Sequence, residues 1–180
     1  MKEIEKEIII KAQRGNTKAF RELYDFYAPT VWRLCYRSAN GVQQAAEEIV
    51  QDVFIKVHKS LKTFNHKAAF STWLYRITFN AAMQFHGKTA LWRRNMLPFE
   101  ENVMGEEHND RLELQEQVKN ILQPLSREER FLLTAREVEG FTYEDLSVIS
   151  GESEGALRTK ISRLKNTIRK RLLTLEKRTA

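Results

Sequence analysis

Acidic side chains are missing from a long stretch in the first half of this 180-residue chain. Between Asp52 and Glu100 there is no Asp or Glu, although eight Lys or Arg residues lie there. Aromatic rings are interleaved with these cations: Phe64, Phe70, Trp73, Tyr75, Phe79, Phe85 and Trp92. A positive surface with flat rings suits a polyanion whose bases can stack, which means single-stranded or locally opened nucleic acid. A buried aromatic core accounts for some of the rings, but it leaves the missing carboxylates unexplained.

Cysteine and long apolar runs are also scarce. Cys35 is the single cysteine, which excludes an intramolecular disulfide and a cysteine-rich zinc site and fits a reducing compartment. Its apolar neighbours predict a buried structural thiol. No apolar run approaches membrane-spanning length, and the N-terminus has no signal-peptide hydrophobic region. We therefore expect a soluble, cytoplasmic protein without direct membrane insertion.

Catalytic and metal-binding motifs are lacking as well. No zinc-protease motif, glycine-rich phosphate loop or nucleophile elbow is present. Glu48 and Asp52 share a helix face that carries no histidine, so solvated or partner-binding carboxylates are favoured over metal ligands. The histidines are scattered along the chain: His58, His66, His86 and His108. We expect no enzymatic activity, no cofactor and no metal site.

Helical periodicity runs through the whole chain and alternating strand patterns are absent, which predicts an all-α fold. The net charge of +6 is unevenly spread: residues 100–118 hold seven acidic residues against Arg111 alone, whereas residues 154–180 hold nine Lys or Arg. Pro98 lies just before this acidic segment and Gly105 lies within it, as is typical of a linker. We predict two small helical domains, residues 1–96 and 112–180, joined by a flexible acidic linker over residues 97–111.

Several helix boundaries can be predicted in the first domain. Gly15-Asn16 ends a first amphipathic helix, Thr17 is expected to cap the second, and Pro29 fits the first turn of a third. A helix from about Ala45 to Leu61 follows, with a buried stripe at helical spacing. The residues from Thr63 to Phe70 break the periodicity and read as a loop. Ser71 is then expected to cap a helix that runs to about His86-Gly87.

The second domain has the pattern of a helix-turn-helix, in which a short helix and a glycine turn precede a basic helix that enters the major groove. Ser126 with Glu129 forms a capping box, Thr142 begins the short helix, and Ser153 caps the last helix. Leu157, Ile161, Leu164, Ile168 and Leu172 are expected to point inward. The outward positions, with their basic flanks, are Gly155, Arg158, Thr159, Lys160, Ser162, Arg163, Lys165 and Asn166. Such a helix reads base edges with its first turns and contacts phosphates further along.

These residues support more than one function. A helix-turn-helix regulator that binds duplex DNA alone would need no carboxylate-free aromatic segment 80 residues upstream of its reading helix. A helical adaptor that binds acidic protein partners would need no capped helix with a polar outward row. Two modules, one for opened DNA and one for duplex DNA, would use both features.

Three segments resemble region 2 of the bacterial extracytoplasmic-function (ECF) sigma factors. They are Gly15-Asn16-x-x-Ala19-Phe20-x-x-Leu23-Tyr24, the run Ala46-Glu47-Glu48-Ile49-Val50-Gln51-Asp52-Val53-Phe54-Ile55-Lys56-Val57, and the run Phe70-Ser71-Thr72-Trp73-Leu74-Tyr75-Arg76-Ile77-Thr78-Phe79-Asn80. Leu125-Ser126-x-x-x-Arg130, Gly140 to Leu146 and Gly155 to Arg163 resemble region 4. The order and spacing match over nearly the whole chain, apart from the linker.

The resemblance implies a transcription initiation factor and the residues that would serve it. The clamp coiled coil of core RNA polymerase would bind Glu47, Glu48, Gln51, Asp52 and Lys56. The −10 promoter element would be opened, and a flipped non-template base held, by Phe64, Asn65, His66, Lys67, Phe70, Ser71, Trp73, Arg76 and Asn80. The −35 element would be read by Ser153, Gly155, Ala156, Arg158, Thr159, Ser162, Arg163 and Asn166. An anti-sigma factor is implied as a further partner, and Lys88, Arg93 and Arg94 as DNA-backbone contacts.

Two departures from the family pattern affect these expectations. After Asn80 the family usually continues with an acidic residue and an Arg, whereas this chain has Ala81-Ala82-Met83 and continues to Lys88. In region 4 the common Thr-Val-Lys-Ser becomes Ala156-Leu157-Arg158-Thr159. The hydroxyl lost at Ala156 removes one expected phosphate contact, which Thr159 can replace.

Overall fold

The structure is a computed structural model that describes residues 3–85, 117–118 and 120–179, the last six by backbone only. The first part contains α1 (Lys6–Gln13), α2 (Thr17–Ser38), α3 (Gln43–Ser60), a 3-10 turn (Leu61–Thr63) and α4 (Phe70–Gln84). The second part contains α5 (Arg127–Glu137), α6 (Tyr143–Ser150) and α7 (Glu154–Thr179), preceded by helical residues in 117–122. No strand occurs among these residues, which confirms the all-α prediction.

Some predicted features lie outside the described residues. These are the acidic linker over 97–111 and the three cations Lys88, Arg93 and Arg94. The helix predicted to run to about His86-Gly87 ends slightly earlier, at Gln84, because the backbone of Phe85 is already extended. Within the described ranges, no helix has the length and apolar character needed to cross a bilayer. Cys35 is fully buried, as predicted, and burial raises the pKa of its thiol to about 12.

The prediction of separate second and third helices was wrong, because α2 continues through Pro29. Pro29 is exposed, while the residues on either side keep one buried stripe along the helix. That stripe consists of Leu23, Tyr27, Val31 and Leu34. The burial of a continuous apolar face therefore outweighs the hydrogen bond that proline cannot donate.

Two predicted caps were also wrong. Asn16 rather than Thr17 caps α2, since its Oδ1 accepts a hydrogen bond from Ala19 N at 3.0 Å. Helix α4 begins at Phe70, so Ser71 lies inside its first turn, fully buried, and its hydroxyl has no hydrogen-bond partner among the residues that the structure describes. The capping boxes at Ser126 and Thr142 are present. The cap at Ser153 is present as well, its Oγ accepting from Ala156 N.

One hydrophobic core extends through both parts of the chain. The ring of Tyr75 on α4 lies 4.8 Å from that of Phe141, and the ring of Phe79 lies 5.2 Å from that of Phe131 on α5. The predicted modules therefore pack directly against each other, along a seam formed by α2 and α4 on one side and α5 and α6 on the other.

Two arginines of α5 cross this seam and bind the C-terminal ends of helices in the first part. Arg127 donates to the carbonyl of Ala82, in the last turn of α4, at 3.1 Å, and to that of Phe85, which follows the helix. Arg130 donates from Nη2 to the carbonyl of Ser38, the last residue of α2, at 3.0 Å. Carbonyls at a helix C-terminus lack intrahelical partners and carry partial negative charge. A guanidinium supplies both the missing hydrogen-bond donors and a compensating positive charge.

The seam also contains an ion pair. Glu139 accepts hydrogen bonds from Arg33 Nε at 2.6 Å and Nη2 at 2.9 Å, and from the Thr30 hydroxyl at 3.2 Å. The Glu139 side chain is only 8% exposed, whereas that of Arg33 is 48% exposed. The hydrogen bond to Glu139 raises the pKa of Arg33.

Candidate nucleic-acid and polymerase interfaces

The loop between the 3-10 turn and α4 is built over a cluster of aromatic rings. The ring centre of Phe64 lies 5.3 Å from that of Phe70 and 5.1 Å from that of Trp73, and Phe70 lies 5.5 Å from Tyr27. The His66 ring lies 4.7 Å from Phe64. Tilted and edge-on contacts at these distances are favourable between aromatic rings. These ring contacts pack the loop against the aromatic cluster and hold its shape.

The predicted −10 residues divide into a buried group and an exposed group. Phe64 and Phe70 are 6% and 2% exposed, and Ser71 is fully buried, so these three form the floor of the loop. Trp73 is half-buried at the edge of that floor. The exposed members are Asn65, His66, Lys67, Arg76 and Asn80. Direct contact between DNA and the floor residues stays a prediction, whereas the exposed group is open to a ligand.

Helix spacing aligns three of these side chains. Trp73, Arg76 and Asn80 recur at intervals of three and four on α4, so they share one face. In the loop, Asn65 Oδ1 accepts a hydrogen bond from Lys67 N at 3.1 Å and closes a local turn. The ring of Trp73, 5.1 Å from that of Phe64, links this helix face to the loop.

The predicted polymerase-binding face lies on α3 beside an apolar groove. Glu47, Glu48 and Gln51 are exposed, and Asp52 is half-buried and paired with Lys56 at 2.8 Å. The groove has a volume of about 580 Å³ and lies between α2 and α3. Its walls include Phe20, Tyr24, Trp32, Val50, Phe54 and Ile55. Ile55, a large apolar side chain, is 45% exposed. A polar rim around exposed apolar surface is a common composition for a protein interface.

The helix-turn-helix agrees with the prediction for most positions. Leu157, Ile161 and Leu164 are buried, whereas Leu172 is 43% exposed, so the inward stripe ends before Leu172. The predicted −35 residues are all exposed: Ser153, Gly155, Ala156, Arg158, Thr159, Ser162, Arg163 and Asn166. Gly151 takes a left-handed conformation, φ 82°, at the end of α6, which turns the chain towards α7.

Side chains of α7 differ in how they are held. The guanidinium carbons of Arg136 and Arg158 lie 4.5 and 4.7 Å from the centre of the Tyr143 ring, and Arg158 also pairs with Glu154 at 2.9 Å. Arg163 has no such partner among the described residues. Arg158 is therefore pre-positioned by its own module, and Arg163 is available to bind an external acceptor.

Lys160 has a structural position, although it flanks the reading face. Its Nζ donates to Glu128 at 2.7 Å and to Glu152 at 2.6 Å, which ties α7 to α5 and to the turn. Partial burial disfavours the ammonium, but the hydrogen bonds to the two carboxylates outweigh it and raise the pKa of Lys160. These bonds fix the angle at which α7 leaves the turn.

Sequence reasoning missed residues of the N-terminal segment that contact the loop between the 3-10 turn and α4, which carries predicted −10 residues and is called the −10 loop below. Gln13, the last residue of α1, hydrogen-bonds three loop positions, and Glu3 binds the first turn of α4. Neither belongs to a local motif, because each partner lies about 50 or more residues away.

No group of three His, Cys, Asp or Glu side chains among the described residues could hold a metal ion.

Both parts of the chain match models of known protein families. The family model for Sigma-70 region 2 matches residues 23–91, and the model for Sigma-70, region 4 matches residues 115–168. The RNA polymerase sigma-H factor of Pseudomonas aeruginosa is 30% identical over 96% of both chains. The ECF RNA polymerase sigma-E factor of Haemophilus influenzae is 30% identical over 93% of this chain and 95% of its own.

Solved structures share the fold. CnrH, in complex with the cytosolic domain of CnrY, superposes with a TM-score of 0.71 at 22% identity, over 93% of this chain and 96% of that chain. The sigma factor RpoE of Bartonella quintana, in complex with the anti-sigma factor NepR, gives a TM-score of 0.63 at 20% identity. That match covers 87% of this chain and 98% of the other.

Proposed function

Because the chain belongs to the ECF sigma factors of the sigma-70 family, we propose a specific division of labour among its surfaces. The chain binds core RNA polymerase, directs it to promoters and helps to open the −10 element. In our proposal the α3 face binds the polymerase clamp, the loop with α4 captures an extruded base, and α7 reads the −35 element. Such a factor acts where the polymerase acts, in the cytoplasm.

The observation that carries the −10 assignment is the exposed row beside the half-buried Trp73. Arg76 and Asn80 lie on the same helix face, and residues 53–85 contain no carboxylate that would repel phosphates. Extruding a base costs a few kcal/mol, and stacking it on an aromatic or guanidinium surface returns about 1–3 kcal/mol. Because the two terms nearly cancel, the chain alone should leave duplex DNA closed, and the free energy of polymerase binding supplies the remainder.

The packed seam has a consequence for promoter binding. The −10 and −35 elements lie about 25 base pairs apart, or about 85 Å of duplex at 3.4 Å per step. A packed chain of this length has a radius of gyration of about 16 Å. We infer that residues 1–96 and 112–180 work as separate modules on the promoter, so the seam separates when the chain joins polymerase. An anti-sigma partner that favours the packed arrangement would oppose that step.

In vitro transcription tests this function. Purified bacterial core polymerase, with and without the chain, would transcribe a library of templates with randomised upstream sequence. We expect chain-dependent initiation from templates that share one −10 and one −35 sequence. Binding of the chain alone to a duplex site, without initiation, would favour the stand-alone regulator; neither binding nor initiation would favour the adaptor.

The polymerase-binding face has its own test. Asp52→Lys reverses the charge at the centre of that face, and we expect it to lower the affinity for core polymerase at least tenfold. The matched control is Asp25→Lys on α2, which also breaks an i,i+4 ion pair, there with Arg21. Unchanged affinity of the Asp52→Lys variant would remove this face from the interface.

A further inference from the structure

The −10 loop is held from outside by the N-terminal helix. The amide nitrogen of Gln13 donates to the carbonyl of Leu61 at 3.0 Å and to that of Phe64 at 2.8 Å. Its amide oxygen lies 2.8 Å from His66 Nε2. One side chain of α1 thus spans the start of the loop and reaches its exposed rim.

The chemistry of these contacts fixes their direction. Carbonyl oxygens only accept, so the two backbone contacts use both hydrogens of the Gln13 amide. The amide oxygen therefore faces His66, and since it too only accepts, His66 Nε2 is the donor. Every hydrogen-bonding group of the amide is engaged with the loop.

The loop needs such support at His66. This residue has φ 59°, in the left-handed region that a side chain with a Cβ rarely adopts. The hydrogen bond that its Nε2 donates to Gln13 and the contact with the Phe64 ring hold it there. Without them, the loop would relax towards more common backbone conformations and carry Asn65 and Lys67 with it.

The other end of the loop is tied to the same N-terminal segment. The Glu3 carboxylate accepts from Ser71 N at 3.2 Å, in the first turn of α4, where amide groups lack partners and a negative charge is favourable. Glu3 also accepts from the Tyr27 hydroxyl at 3.3 Å, and that hydroxyl accepts from Ile4 N at 3.2 Å. Both ends of the loop are therefore anchored to residues before α2.

We propose that Gln13, assisted by Glu3, is a positioning residue for base recognition at the −10 element. It touches no DNA; it sets the loop in the conformation that receives the extruded base. The inference rests on the proposed base-capture role of the loop. A site on a loop loses precision when the residues that lock it are removed.

The test compares two DNA probes bound by the chain with core polymerase. Both carry the −10 element as a single strand; one has the extruded base and the other an abasic sugar at that position. The dissociation constant for the abasic probe divided by that for the probe with the base reports base capture alone. We expect this ratio to be about five or more for the natural chain. For Gln13→Leu we expect the ratio to fall roughly threefold or more, towards one, with abasic-probe binding and core affinity unchanged.

Two further variants complete the design. Lys6→Leu places the same side chain on the exposed face of α1 and should keep the natural ratio. Gln13→Glu keeps the shape of the side chain but places carboxylate oxygens against two carbonyl oxygens, so its ratio should fall as in Gln13→Leu. If the Gln13→Leu variant does not fold, the Gln13→Glu variant takes its place in the test.

The outcomes separate the two levels of the proposal. A natural ratio near one would overturn both the base-capture role and this inference. A large natural ratio that both Gln13 variants retain would overturn the positioning role alone. Equal weakening on both probes would also overturn it, because that is the effect of a loss of folded protein.

Discussion

The two surfaces of this sigma factor that we propose face DNA are built in different ways. The helix-turn-helix is made within one short segment: capping boxes at Ser126 and Thr142, a glycine turn and a buried stripe orient α7, and its reading row is fully exposed. The −10 surface is a loop over buried rings, and it is held by residues from α1 and α2. A helix presents side chains through its own periodicity, whereas a loop depends on remote contacts for its shape.

The largest expected difference between the surfaces concerns stability. Phe70→Ala should lower the free energy of unfolding by about 3–5 kcal/mol, because it removes a ring that is 2% exposed and contacts Phe64, Trp73 and Tyr27. Chemical denaturation followed by circular dichroism measures this. The matched change in the other surface, Arg163→Ala, should shift it by less than about 0.5 kcal/mol. Equal effects would erase the contrast between a supported loop and a self-contained helix.

Trp73→Ala should have the next largest effect, and on function rather than folding. We expect promoter opening to lose about 2 kcal/mol, roughly 30-fold, through lost stacking with the extruded base. Permanganate footprinting of unpaired thymines measures opening, and a fluorescence titration measures core polymerase affinity. If both quantities fell equally, Trp73 would be a packing residue like Phe70 and the exposed edge of the −10 surface would have no special role.

Arg163→Ala should weaken discrimination at the −35 element by roughly 1–2 kcal/mol, since a guanidinium with no partner in the described part of the chain can bind a base edge. Competition between promoters with the selected and an altered −35 sequence measures it. Arg169→Ala, further along the exposed face of α7, is the control and should weaken both promoters alike through lost phosphate contact. Unchanged discrimination in the Arg163 variant would exclude it from the reading row.

The smallest expected effect lies in the seam between the two parts. Glu139→Gln removes the charge that Arg33 binds and should lower the free energy of unfolding by about 1 kcal/mol, because Arg33 is half exposed and keeps its hydration. Thermal unfolding measures this, with Asp25→Asn in the exposed Arg21–Asp25 pair as the control, where a smaller change is expected. A loss no larger than the control would mean that the ion pair adds nothing to the packing of the rings.

Local signals predicted the second surface better than the first. Ser126 with Glu129 and Ser153 each act within three residues, so their sequence spacing was sufficient to identify them. Ser71 had the right residue type but is buried inside α4, and the carboxylate at that helix end comes from Glu3. No local pattern encodes a partner 68 residues away.

The contacts across the seam are not encoded in local sequence patterns either. Arg33 and Glu139 are 106 residues apart, and each looks like an ordinary surface charge in the sequence. At Pro29 the local signal was present but the prediction of a helix start was wrong. The burial of one apolar stripe along α2, which depends on packing in the folded protein, keeps the helix continuous through the proline. Family resemblance predicted which residues would face DNA or polymerase, but it did not predict which of them the fold buries.

Crossed rescue in a run-off transcription assay tests the central claim most directly, namely that the two surfaces act on different forms of promoter DNA. A template with the −10 element already unpaired should restore most of the activity lost in Trp73→Ala and none of that lost in Arg163→Ala. A duplex template with a scrambled −35 element should make Arg163→Ala equal to the natural chain and leave the Trp73→Ala defect in place. If unpairing the −10 element rescued both variants equally, or neither, the two surfaces would not have the separate roles assigned to them.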